Sequence, residues 1–193
     1  MALFDRAKKI LLQPKQEWEV ISGESTSMAD LYTGYAMPLA AIGPVCSVIG
    51  LSVVGISLPI VGTYRVPIMS SILSAIVQYA LALAAVYILA IVIDNITPKF
   101  EGLRDMGQAL KLATYSSTAS WVAGIFILVP VLAILGLVGL YSIYLLYAGT
   151  PILMKVPREK AAIFTAVVIV AAIVIFTVMN MITRAFIPYP TPV

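Results

Sequence analysis

The sequence predicts an all-α, polytopic membrane protein in which five transmembrane helices follow short cytoplasmic amphipathic helices, and three observations carry the prediction. Mean hydropathy is +1.03. Only 11% of the 193 residues are charged, against about 25% in an ordinary soluble domain. The charges also cluster, in Met1 to Asp30, Asp94 to Lys111 and Lys155 to Lys160, with Arg65 and Arg184 isolated; the stretches between them are almost wholly apolar. Those stretches are long enough to cross a bilayer.

Residues 1–30 form the N-terminal unit. In "MALFDRAKKILLQ", Leu3, Phe4, Ala7, Ile10 and Leu11 recur at helical spacing with the charges opposite them. That is the pattern of an amphipathic helix lying on a membrane surface or on neighbouring spans. Asp5, Arg6, Lys8 and Lys9 interrupt the continuous apolar run that a signal peptide needs. Pro14 stops this helix and opens the next, "PKQEWEVISG", which has Glu17 and Glu19 near its positive end and Gly23 as its stop. Trp18 and Ile21 share one of its faces. Pro14, Trp18 and Ile21 are therefore interaction candidates, with Trp18 anchoring at headgroup level or docking on protein.

The membrane domain, residues 31–184, divides into spans at about 35–58, 68–93, 112–129, 131–154 and 161–183. In the first, Pro38, Pro44, Gly50 and Gly55 imply kinks or close helix contacts; Pro59, Gly62 and Pro67 mark the loop after it. The second lacks proline and glycine and ends at "DNITPKFEG". Leu112 to Met154 holds 43 uncharged residues, about 65 Å as one helix, too long for a single crossing of about 30 Å. Two spans with a reversal near Pro130 follow. "KVPREK" precedes the last span, and residues 185–193 form a proline-rich tail.

Lysine and arginine placement tests this order independently of hydropathy. Arg6, Lys8, Lys9 and Lys15, then Lys99, Arg104 and Lys111, then Lys155, Arg158 and Lys160 put ten positives on one side, leaving Arg65 and Arg184 on the other. Taking residues 112–154 as one crossing gives an 8 to 4 split. The charge distribution therefore predicts a cytoplasmic N-terminus and a C-terminus on the opposite side.

Little chemistry is on offer. The chain has no histidine and one cysteine, Cys46, inside an apolar run, so histidine-based hydrolysis and histidine metal sites are excluded. No phosphate-binding glycine loop occurs. No catalytic, cofactor-binding or metal residue is expected, nucleic acid is not a partner, and Asp94 reads as a solvated helix-end carboxylate beside Asn95. The expected partners are the lipid bilayer and another membrane protein or a second copy. Ser116, Ser120 and Gly124, four apart, let a helix approach closely. Tyr141, Tyr144 and Tyr147 stack near one face, and their hydroxyls predict the bundle interior or an interface. The rival reading is a small-solute, ion or lipid transporter, for which Gln78, the tyrosines and Asn180 would line a continuous polar path.

"PKQEWEVI" (Pro14, Trp18, Ile21), five closely spaced spans, "ATYSS" opening the third, and "YSIYLLYAGTPILMKVPREKA" leading into the fifth resemble the Yip family of Ypt/Rab-interacting membrane proteins, in its bacterial branch. The resemblance covers nearly the whole chain. It implies five spans, a cytosolic N-terminus, a place in the bacterial inner membrane and a non-catalytic, membrane-organising or protein-interaction role, with trafficking as the use in eukaryotic relatives. Two departures stand out. "YSSTAS" lacks the proline that follows the Tyr-Ser pair in many relatives, and the N-terminal region is cut to about thirty residues, removing most of the surface expected to meet a trafficking GTPase.

Overall fold

The computed structural model describes residues 3–58 and 62–186. Helix α1 (Leu3–Leu12) and α2 (Pro14–Gly23) form a short hairpin. The first long helix, α3 (Met28–Val54), begins when the Ser27 hydroxyl accepts from the Asp30 amide at 3.0 Å, a side-chain N-cap. Two π-helical turns, Tyr32–Ala36 and Gly50–Val54, interrupt α3. Strands β1 (Ile56–Leu58) and β2 (Gly62–Tyr64) pair antiparallel beyond it, with Gly55 at φ 83° leading in. Helix α4 (Ile68–Ile96) returns. A 3-10 turn, Thr97–Phe100, leads to α5 (Met106–Ser116) and α6 (Thr118–Ala123). The 3-10 segments Gly124–Leu128 and Pro130–Leu140 run into α7 (Tyr141–Leu153), and α8 (Arg158–Phe186) closes the bundle.

Among the described residues the fold is helical apart from one small hairpin, and four helices are long and apolar enough to cross a membrane: Met28–Val54, Ile68–Phe100, Val131–Leu153 and Arg158–Thr183. Residues 112–129 are not among them. Ser117 donates to the Ala113 carbonyl at 2.8 Å and Thr118 to the Tyr115 carbonyl at 2.7 Å; side chains that bond back onto the preceding turn compete with the ladder, and the helix breaks between α5 and α6. The chain reverses at Val129, which is extended (φ −120°, ψ 103°). The first span starts at Met28 rather than 35, and α8 continues to Phe186; of the proline-rich tail, 187–193 lie outside the described residues.

Burial divides the molecule into two zones. Ile10, Trp18, Ile21, Ile93, Leu110, Leu112, Leu145, Met154, Phe164 and Val168 make one fully buried core, built from α1, α2, α5 and one end each of α4, α7 and α8. Elsewhere large apolar side chains such as Ile72, Ile134, Ile173 and Phe176 point outward, a surface suited to lipid. Glycine sets the close contacts there. A Cβ on Gly50 would lie 2.3 Å from the Ile127 carbonyl oxygen, and one on Gly124 2.9 Å from the Gly43 Cα. These residues bring α3 and the 120–140 hairpin backbone to backbone, the small-residue packing that lipid favours.

Candidate functional site

The candidate site lies where α1 and α2 dock on the packed zone. Leu3, Arg6, Ala7 and Ile10 turn inward from α1; Pro14, Glu17, Trp18 and Ile21 turn inward from α2. On α5 the partners are Gln108, Lys111, Leu112 and Tyr115. Each set repeats at i, i+3, i+4, i+7, one face of a helix, and each carries one charged side chain at its second position. Four of the five apolar positions predicted for α1, Leu3, Ala7, Ile10 and Leu11, thus face the core, and Phe4 departs. Arg6 is 7% exposed while Phe4 is 83% exposed, because two carboxylates await the guanidinium inside.

Arg6 Nη1 donates to Glu17 Oε1 at 2.5 Å and Nη2 to Glu24 Oε1. Its Cζ lies 5.9 Å from the Tyr115 ring centroid, a cation–π distance. Burial disfavours the charge, but the Glu24 hydrogen bond and the neighbouring negative groups outweigh it and raise the Arg6 pKa. Tyr115 also meets Trp18 edge-on at 6.2 Å and Tyr35 at 4.5 Å. The Tyr35 hydroxyl donates to Thr118 Oγ1 at 2.8 Å, since that threonine donates its own proton to Tyr115 O. One π-helical turn thus aims Tyr35 at α6 and Tyr32, whose hydroxyl bonds Leu83 O at 3.0 Å, at α4.

The other half of the latch caps α2. The last carbonyls of a helix have no partner within it. Here α5 supplies them: Lys111 Nζ donates to Ile21 O at 3.0 Å and to Glu24 O, and Gln108 Nε2 to Ser22 O at 3.2 Å. A cation at a helix C-terminus also complements the dipole. Burial holds the Lys111 pKa below the ordinary lysine value, with Glu24 and Asp105 opposing. Trp18 fills the space beside Gly149, where a Cβ would lie 2.7 Å from Trp18 Cε2. The Trp18 Nε1 has no hydrogen-bond partner among the described residues, so the indole acts through its bulk.

Of the remaining predicted residues, Tyr141 reaches the docked helices and the others do not gather here. Ser116 is buried and bonds Ala113 O in its own helix at 3.2 Å. Ser120 meets the Gly139 carbonyl at 3.1 Å and the Ser142 hydroxyl at 2.9 Å, and Gly124 faces Gly43; the break at Ser117 separates Ser116 from the other two. Tyr141 donates to Leu11 O at 3.1 Å. Tyr144 and Tyr147 are 40% and 43% exposed, outward rather than interior, because the opposite face of α7, with Leu145, Leu146, Gly149 and Thr150, holds the core. Gln78 bonds Ser74 within α4, and Asn180 bonds Phe176 O on the outer surface.

Asp94 is a second departure. Its side chain is 8% exposed and accepts from Arg104 Nε at 2.8 Å, where a solvated carboxylate was expected. The loop that follows folds back on the bundle, Leu103 N donating to Met154 O at 2.9 Å, and this covers the carboxylate. Among the described residues no three His, Cys, Asp or Glu side chains come together as a metal site.

Sequence comparison adds to this geometry. A family model described as the Yip1 domain matches residues 8–179. The inner membrane protein YohC of Escherichia coli K12 is 24% identical over 174 residues, covering 88% of this chain and 89% of that protein. YohC of E. coli O6:H1 matches to the same extent. No solved structure matches.

Proposed function

The chain belongs to the Yip1 domain family, and from that premise we propose a non-catalytic, integral inner-membrane protein that organises membrane or binds a partner through its docked N-terminal helices. Its N-terminus is cytoplasmic and its C-terminus lies opposite; residues 112–154 supply the third and fourth of five crossings. One observation carries the reading. Thirty residues too short to fold alone are fixed to the bundle by a buried ion network, a capped helix end and a fully buried tryptophan, so α1 and α2 present a defined surface rather than a tether. The inner-membrane relative and the ten-to-two charge asymmetry support the location and orientation.

Crosslinking pull-down from native membranes tests the role. Trp18→Ala leaves the apolar spans to insert, but removes the side chain that seats α2, at a cost of about 3–5 kcal/mol of docking. Recovery of the crosslinked partner should fall with the variant while membrane content stays the same. Equal recovery from both would sink the interaction role of the docked helices.

A further inference from the structure

Docking does not use the outer face of α1. Phe4, Lys8 and Leu12 are four residues apart and share one side of the helix. Phe4 is 83% exposed and Leu12 68%, with exposed Lys8 between them and exposed Lys9 and Lys15 nearby. Asp5 is the one exposed carboxylate of α1. A lysine stem lies well along apolar side chains while its ammonium reaches outward, so this stripe matches a surface that is apolar within and negative at its rim.

The position of α1 points to the same partner. The Tyr141 hydroxyl holds the Leu11 carbonyl at 3.1 Å, fixing the last turn of α1 beside the first turn of α7. Leu140 at 60% and Tyr144 at 40% exposed lie on that part of the bundle. The stripe therefore continues the outward apolar surface of the bundle where tyrosines gather, and exposed tyrosines mark the headgroup zone. We propose that the outer face of α1 binds anionic phospholipid headgroups at the bilayer surface. Phe4 and Leu12 enter the acyl boundary; Lys8 meets phosphate, and Lys15 adds charge. This rests on membrane placement and not on capture of a protein partner, so the two tests fail separately.

The test uses the full chain with Cys46→Ala, carrying an environment-sensitive dye at Leu12→Cys or, as a water-facing reference, at Ser25→Cys. Vesicles contain phosphatidylcholine alone or with phosphatidylglycerol as about a third of the lipid. With the anionic lipid, iodide quenching of the Leu12 dye should fall several-fold below the Ser25 reference, and lipids spin-labelled near the headgroup should quench it. Lys8→Gln should weaken that protection about five-fold, the value of one lysine at an anionic surface, and Lys8→Arg should keep it. Unchanged Trp18 emission in both variants shows that α1 and α2 remain docked. Iodide access equal to Ser25 in both vesicles overturns the proposal, as does protection indifferent to phosphatidylglycerol and to Lys8→Gln. Protection found in native membranes but in neither vesicle assigns the face to a protein and overturns it too.

Discussion

Arg6 exchanges water for two carboxylates and an aromatic ring, and together with Ala7 and Ile10 it sets which way α1 faces. Removing one member of a buried pair leaves the other charged and unsolvated, at about 3–5 kcal/mol, whereas replacing both by apolar groups is often nearly neutral. Arg6→Met should therefore expose the α1–α2 hairpin, read as a red shift and stronger iodide quenching of Trp18 with Trp121→Phe in the background. The double variant Arg6→Met, Glu17→Leu should recover most of the wild-type signal. Lys111 sets a pH dependence. Burial lowers its pKa in the docked state, so the undocked state binds more protons between that value and the ordinary lysine value near 10.4. Docking should strengthen as pH rises through this window and level off above it. Trp18 quenching against pH measures the slope, which Lys111→Met should flatten.

At the scale of elements, periodicity was legible and its direction was not. Trp18 and Ile21 read as sharing one face of α2, because spacing alone determines which residues share a helix side, and both turn inward. The same spacing includes Arg6, Glu17 and Lys111 in their seams, but a lone charge is expected to face water; only the neighbouring helices show that each has a partner. Glycines differ in the same way. Gly124 meets the Gly43 backbone, while a Cβ on Gly136 would meet nothing within 4 Å. Gly124→Ala should then lower the unfolding temperature in detergent and Gly136→Ala should leave it near wild type. Equal effects would show that the α3 contact does not hold the 120–140 hairpin.

For the whole molecule, helix length and zone agree. Helix α4, with 29 residues, runs about 44 Å, longer than the roughly 30 Å of hydrocarbon; its Val86, Ala90, Ile93 and Asp94 join the packed zone with α1, α2 and α5. The clustered charges belong to this zone, with Arg65 outside it, and most of the outward apolar side chains belong to the other. Reporters fused after Lys99 and after Lys155 should both signal cytoplasm and one after Val193 the opposite side. A cytoplasmic signal at Val193 would mean an even number of crossings and would overturn the proposed orientation.

Composition by itself determined that this chain is a membrane protein: apolar runs of this length have no soluble solution, and each helix satisfies its own backbone within the segment. Local pattern likewise determined where Pro14 divides α1 from α2, and that the resemblance is to the Yip family. Tertiary structure decided what these residues meet. It turned Arg6 inward and Phe4 outward, covered Asp94, broke the helix at Ser117 between α5 and α6 and sent Tyr144 and Tyr147 to the surface. The reason is that sharing a face follows from spacing along one chain segment, whereas burial of a charge depends on a counter-charge delivered by a distant one.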